Sequence, residues 1–298
     1  MDFNYSVNQY RLVQPPNVNK LPEMSQMQFE QWRKFIYDKT GIYFQDNKKY
    51  LLESRLLKRI VHLKISSYDE YLKLLSNSLS NKSEMRYFYD TITINETFFF
   101  RNTGQLDAMV QKIVPEILQN REKTGKQKIR IWSAACSSGE EAYSIAIMLN
   151  EFIKPKFPEI TFEIVGTDIN QTVLETAVRG IYGDYAIRNM PIQYLKKYFK
   201  QIDGMYELNL DIKTMATFKN ANLFDSNDML YMNNFDIIFC ANVLIYFDTN
   251  SKIKVVNQLY KSLNKGGYLF IGFSETLHGI SKAFSVVSFP KTVGYKKE

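Results

Sequence analysis

Residues 129–144 read IRIWSAACSSGEEAYS: an apolar run that stops at small residues, then one glycine, then two acids. A buried parallel strand hands over to a helix in this way at the edge of an open sheet. Small side chains let the backbone approach a ligand, and Ser137 or Ser138 is placed to cap the helix that Glu140 and Glu141 begin. Ser138 and Glu141 have the spacing of a capping box. A capped strand-to-helix turn is also ordinary α/β architecture, so at this point a ligand turn and a purely structural turn both fit.

Outward from this turn, strands and helices alternate. The pattern predicts strands at 128–133, 161–167 (TFEIVGT), 235–240 (FDIIFC) and 267–272 (GYLFIG), with helices at 139–153, 170–179 and 250–263. Such alternation implies a parallel sheet covered by helices on both faces, a Rossmann-like α/β domain over 128–298. The closing FSVVSFPKTVGYKK reads as two short strands around Pro290-Lys291. A terminal antiparallel hairpin on a parallel sheet is common in methyltransferases and uncommon in dehydrogenases. Between about 180 and 220 the alternation breaks into YLKKYF, MYELNL and ATFKN, separated by turn signals at Gly183-Asp184, Met190-Pro191 and Asp203-Gly204. This segment reads as a small inserted β subdomain.

Upstream, residues 1–24 are rich in Asn, Gln and Pro and read as a disordered tail. Residues 25–100 read as a small all-α domain. Phe29, Trp32, Phe35 and Ile36 recur at helical spacing after a candidate N-cap, Ser25, and Thr40-Gly41 closes that helix. A second helix, about 46–64, gathers Leu52, Leu56, Ile60 and Leu63 on one face and Lys48, Arg55, Lys58 and Arg59 on an adjacent one. That basic stripe is either a solvated face or a docking face. Further helices are expected at 67–76, with Ser67 and Glu70 spaced as a capping box, and at 83–92. TITINETFFFRN follows at 91–102: its phenylalanines suit a core, and Asn95, Thr97 and Arg101 are interleaved with them. Residues 101–127 read as a linker with a helix, kinked at Pro115 and ending in the charged REKTGKQK.

Bulk composition narrows the class. The 298 residues are 45% apolar, enough for a sizeable core, and 38 basic against 31 acidic side chains leave +7, favouring an acidic partner. Cys136 and Cys240 suit a reducing compartment and give no disulfide framework or metal-ligand spacing. No apolar run reaches membrane-span length, and the first twenty residues lack the apolar core of a signal peptide, so a cytoplasmic location is expected.

In an open α/β sheet the ligand lies beyond the carboxyl ends of the strands. Two acids in the first helical turn resist a dianionic phosphate more than a zwitterionic amino-acid group, which leans toward S-adenosylmethionine and away from a dinucleotide. The second strand ends at Asp168, which either holds ribose hydroxyls or caps the next helix. Asn222 and Leu223 are placed to bracket a purine, and Asn242 and Tyr246 follow the strand FDIIFC. No D/N-P-P-Y/F sequence is present, and His62 and His278 fall outside the strand ends. Methylation of a ring nitrogen and histidine-assisted hydride transfer therefore lose ground. A carboxylate acceptor fits better, because at pH 7 it is already ionised and needs no general base. Arg101 is then a candidate to orient a carboxylate and Tyr246 to line the methyl path.

TINETFFFR, IWSAACSSGEEAYSIAI, GTDIN, NLFD, FCANVLIYFD and GGYLFIGFSE, in this order, resemble the chemotaxis receptor methyltransferases of the CheR type over about residues 25–295. The resemblance implies methyl-ester formation on glutamates of methyl-accepting chemotaxis receptors, with S-adenosyl-L-methionine as cofactor and S-adenosyl-L-homocysteine as product. It assigns cofactor contacts to Asn95, Thr97, Arg101, Glu140, Asp168, Asn222, Leu223, Asn242 and Val243, and puts Arg101 and Tyr246 beside the transferring methyl. Arg55, Lys58 and Arg59 match the family's positive helix, which docks on the receptor's cytoplasmic domain. A monomer is implied, with no nucleic acid, metal or membrane insertion. Where many members read C-R-N, this chain has Cys240-Ala241-Asn242, and any contact of that arginine is lost. A small-molecule carboxylate methyltransferase and a non-catalytic cofactor-sensing module of the same fold are the rival readings.

Overall fold

A computed structural model of the chain describes residues 23–77, 82–121 and 128–298. Helix α1 (Gln26–Thr40) begins at Ser25, whose side chain accepts from the Gln28 amide while the Gln28 side chain accepts from the Ser25 amide. This reciprocal capping box fixes its start, and Gly41 at φ 73° ends it. Helices α2 (Lys49–Leu63), α3 (Tyr68–Ser76) and α4 (Lys82–Ile92) complete the bundle. Its core is Phe29, Trp32, Ile36, Leu52, Leu56, Ile60, Tyr71 and Phe88, the apolar face that the helical spacing predicts. Met24, assigned above to the tail, is buried in this core, and its amide donates to Glu53 (2.9 Å). The rest of the expected tail, 1–22, and linker residues 122–127 lie outside the described residues.

Helices α5 (Thr103–Ala108) and α6 (Val114–Arg121) are joined by a π-helical turn, Met109–Ile113. The widened turn lies just before Pro115, which has no amide to donate back to Gln111. Leu106, Met109, Ile113, Val114, Ile117 and Leu118 share a core with the sheet, so this segment is a layer of the α/β unit rather than a spacer.

The second unit runs β1 (Lys128–Ala134), α7 (Glu140–Phe152), β2 (Thr161–Asp168), α8 (Gln171–Arg179), β3 (Ile181–Tyr182), α9 (Asp184–Ile187), α10 (Ile192–Tyr198), β4 (Phe199–Ile202), β5 (Met205–Leu208), α11 (Leu210–Lys213), β6 (Ala216–Asn220), α12 (Ser226–Met229), β7 (Phe235–Cys240), α13 (Thr249–Ser262), β8 (Leu263–Ile271), β9 (Phe284–Phe289) and β10 (Thr292–Lys297). The main sheet has the order β6-β2-β1-β7-β8-β10-β9. Its pairings are parallel from β6 to β8, while β10 pairs antiparallel with β8 and β9, the expected terminal hairpin. Chain order reverses between β1 and β7, which opens a crevice at their carboxyl ends.

A small antiparallel sheet, β3-β5-β4, forms the insertion. ATFKN, assigned above to that insertion, is instead β6, the edge strand of the main sheet, paired parallel with β2 from Ala216 to Asn220. Thr217, Lys219 and Asn220 are not buried, so the strand lacks the continuous apolar run by which a central parallel strand is recognised. Among the described residues no helix is long and apolar enough to cross a membrane.

Candidate active site at the strand ends

A cavity of about 700 Å³ opens at the crevice, walled by the strand-end loops on one side and by α1, α2 and the segment following α4 on the other. The β1–α7 turn forms its floor in a run of left-handed conformations: Ala135 (φ 57°), Ser137 (φ 50°) and Gly139 (φ 91°). Gly139 is itself the N-cap of α7, with no side-chain cap bond, so the capping box read from Ser138 and Glu141 does not form. The Ser138 hydroxyl donates to the Glu140 carboxylate instead (2.8 and 2.9 Å). Gly166 allows this turn to sit against β2 and β6, since a Cβ there would lie 2.6 Å from Phe218 and 3.0 Å from Cys136 Sγ.

Asp168 ends β2 facing the cavity, with Oδ2 accepting from the Ser137 amide and Oδ1 from the Asn170 amide, both at 2.9 Å. Helix α8 is capped by Asn170, whose side chain accepts from the Val173 amide, so Asp168 is not the cap. Burial lifts the Asp168 pKa to about 6, against the pull of these amide bonds.

The phenylalanines of TINETFFFR divide between two tasks. Phe99 and Phe100 are core residues, Phe99 edge-on to Tyr182 and Phe199, and Phe100 stacked on Tyr194. Phe98 lines the cavity, with the Arg188 guanidinium 3.6 Å from its ring centre. Asn95, Thr97 and Arg101 line the same wall. The Asn95 carbonyl accepts from Ser137 Oγ (2.9 Å), and Arg101 donates to the Glu96 carbonyl (2.7 Å), so the segment is tied both to the floor and to itself.

Asn222 and Leu223 line the opposite wall. Asn222 Nδ2 donates to the Lys39 carbonyl at the end of α1 (2.7 Å), while its Oδ1 accepts from the Phe224 amide (3.0 Å). Asn242, in a left-handed conformation at φ 63°, opens the loop that carries Val243 and Tyr246 along the cavity. The Tyr246 carbonyl accepts from the Tyr43 amide (2.9 Å), and Ile42 bridges to Phe247, so the helical unit is stitched onto this loop. Burial pushes the Tyr246 hydroxyl above its ordinary pKa and keeps it protonated.

Ten of the thirteen residues given a cofactor, acceptor or docking role from the sequence therefore meet at one cavity: Arg55, Asn95, Thr97, Arg101, Asp168, Asn222, Leu223, Asn242, Val243 and Tyr246. Glu140 is not among them. It is 3% exposed, and burial raises its carboxyl to about 7. Its neighbour Glu141 lines the cavity, accepts from Ser133 Oγ (2.7 Å), and is also lifted to about 7 by burial. With Gly139 as N-cap, one residue of helical rotation, about 100°, separates the acid facing the cavity from the acid facing away. Ser144, three residues on from Glu141, lines the cavity as well, a same-face pair that the sequence reading passed over.

The basic stripe of α2 also divides. Arg55 reaches the cavity wall and donates to the Ile92 carbonyl (2.5 Å), while Lys58 is exposed. Arg59 turns inward, making a bidentate pair with Glu84 (2.7 and 2.5 Å) beside the Tyr71 hydroxyl and beneath Tyr87.

Two family models match this chain. One, described as the SAM binding domain of CheR methyltransferase, covers residues 95–293, and one described as the CheR methyltransferase all-alpha domain covers 27–93. The chain belongs to the CheR methyltransferase family. It is 38% identical to chemotaxis protein methyltransferase 2 of Vibrio cholerae over 270 residues, 90% of this chain and 92% of that protein. It is likewise 38% identical to a chemotaxis protein methyltransferase of Borreliella burgdorferi over 248 residues, 83% and 87% of the two chains. As a member of the CheR family it is an S-adenosylmethionine-dependent methyltransferase of chemotaxis. The site fits that cofactor: the volume is that of a small-molecule pocket, and the Asp168 and Glu141 carboxylates face it with acceptor capacity left for hydroxyl or ammonium donors.

Proposed function

We propose that this chain methylates glutamate side chains of methyl-accepting chemotaxis receptors, forming glutamyl methyl esters and S-adenosyl-L-homocysteine. The observation that carries this reading is what faces across the cavity. Arg55 and Arg101 border it from the helical side and the protonated Tyr246 hydroxyl from the loop after β7, and no histidine lines it among the described residues. These two guanidiniums and the hydroxyl, among the cationic groups of a lining that also holds Lys48 and Lys252, attract and orient an ionised carboxylate, and such an acceptor needs no base.

In this reading Asn95, Thr97, Arg101, Glu141, Asp168, Asn222, Leu223, Asn242 and Val243 hold the cofactor, with Glu141 taking the role expected of Glu140. The bound cofactor supplies a methyl group activated on a sulfonium. Asp168 accepts hydroxyl donors through the lone pairs left free by Ser137 and Asn170. Glu141 accepts an ammonium. Arg101 and Tyr246 hold the glutamate carboxylate in line and displace water from it, which is the whole of the catalytic task when nucleophile and leaving group are already in place. The exposed face around Lys58 meets the acidic receptor surface, and the protein works on the cytoplasmic side as a monomer.

Methyl-labelled cofactor incubated with receptor-enriched membranes tests this. The expected result is label in the receptor band that mild base releases as methanol. Protein label that resists base, or none at all, overturns it.

A further inference from the structure

Glu275 lies outside the cavity wall, yet its carboxylate collects amides from the two loops that end β7 and β8. Oε2 accepts from the Gly272 amide (2.5 Å) and the Asn242 amide (3.0 Å), and Oε1 accepts from the Ile245 amide (3.1 Å). Its own amide donates to the Gly272 carbonyl (2.9 Å), closing a turn that aims the side chain across the sheet end. The loop it grips is the one that carries Asn242, Val243 and Tyr246 into the cavity. Asn242 sits there at φ 63°, a left-handed conformation that asparagine adopts more readily than other non-glycine residues and that the two loop amides bound by Glu275 hold in place. Gly272 is part of the same device: a Cβ on it would lie 2.7 Å from Glu275 Oε2, 2.8 Å from the Asn242 nitrogen and 2.9 Å from Asn242 Nδ2.

We infer that Glu275 is a positioning residue for the active site, a carboxylate clasp that sets the Asn242–Tyr246 loop against the cofactor and acceptor; this rests on the reading of the cavity given above. A carboxylate suits the position. It is acceptor-only, with enough lone pairs for three amides, whereas a glutamine presents one oxygen and turns an NH2 donor onto an amide donor. Hydrogen bonds to a charged acceptor are the stronger class; two of them fall on the Asn242–Tyr246 loop and the third anchors the carboxylate to Gly272 at the end of β8, without Glu275 contributing an atom to the cavity lining.

The test uses the full chain with Glu275→Gln and, as a variant that keeps the carboxylate, Gly272→Ala. Three measurements are made: the S-adenosylhomocysteine Kd by calorimetry, amide hydrogen exchange peptide by peptide along the chain, and receptor-methylation kinetics for kcat and KM. In both variants the expected result is a Kd raised on the order of tenfold or more and faster exchange confined to 240–248 and the 272–275 turn. The loss in methylation should lie in kcat at saturating cofactor, with Glu275→Asp recovering less than half of it because its shorter side chain falls short of Ile245. Unchanged Kd and kcat in both variants overturn the inference, and so does exchange that quickens evenly over the whole chain, which marks a general loss of stability. Asp168→Ala is run in parallel: if it leaves the Kd unchanged, the cavity reading fails, whereas a weakened Asp168→Ala beside an unaffected Glu275→Gln defeats the clasp alone.

Discussion

Two adjacent acids, Glu140 and Glu141, project about 100° apart on one helical turn, and their substitution separates structure from binding. Glu141→Gln should raise the S-adenosylhomocysteine Kd roughly tenfold, while Glu140→Gln leaves it unchanged; calorimetry on both variants reads the difference. Glu140 also predicts a pH dependence of stability. An unfolded glutamate titrates near 4.5, and the folded pKa is raised to about 7 by burial. Below 4.5 both states are protonated and there is no penalty. Between 4.5 and 7 the unfolded chain ionises first, so stability falls as pH rises, and above 7 the full cost is present. Glu140→Gln should therefore match the parent at pH 4 and exceed it at pH 8 by about 1–3 kcal/mol, seen in denaturant melts at the two pH values. For Asp168→Ala, loss of a charged acceptor that two amides hold in place should raise the cofactor Kd roughly ten- to a hundredfold.

Helix α2 shows how much of an element is legible before its neighbours are known. Its 3.6-residue spacing places Leu52, Leu56 and Ile60 in the core, and all three are fully buried. The same spacing puts Lys58 and Arg59 on one basic stripe, yet Lys58 is exposed and Arg59 is paired with Glu84, whose side chain is 9% exposed. Nothing in the α2 pattern announces a partner twenty-five residues away. Arg59→Glu should then destabilise the helical unit by about 3–5 kcal/mol, because it opposes two carboxylates in a buried pocket, and thermal melting reads the loss. Lys58→Glu should melt like the parent and bind cofactor like it, while receptor methylation slows. The strand β6 makes the complementary point. Short and half-covered at the sheet edge, ATFKN has no pattern that distinguishes it from the insertion beside it.

Across the whole molecule, a charge of +7 meets a proposed acidic partner, so encounter should be electrostatically steered. Raising ionic strength from about 0.05 to 0.5 M shortens the Debye length from roughly 14 to 4 Å. Receptor-methylation kcat/KM is expected to fall several-fold over that range while the S-adenosylhomocysteine Kd, set inside a cavity, changes far less. Equal loss in both would move the charge dependence from docking to the cofactor site. The cavity draws its walls from the helical unit and from the strand ends, with the Tyr43–Tyr246 and Ile42–Phe247 contacts joining them.

The sequence by itself determined the alternation of buried strands and amphipathic helices, the caps at Ser25 and Gly41, the terminal hairpin, and the strand-end candidates Asp168, Asn222, Leu223, Asn242 and Tyr246 that meet at the cavity. Each is a local pattern, or a strand-end position at which an open α/β sheet collects its ligands, whereas Asn95, Thr97 and Val243 were placed by resemblance. Tertiary structure alone decided which acid of α7 faces the cavity, which arginine of α2 reaches it, that ATFKN completes the main sheet, and that Glu275 clasps the Asn242 loop. Periodicity tells which side of an element is apolar but not what lies across from it. Those four outcomes depend on contacts between segments distant in the chain, and such contacts exist only once the sheet order and the packing of the helical unit have been set.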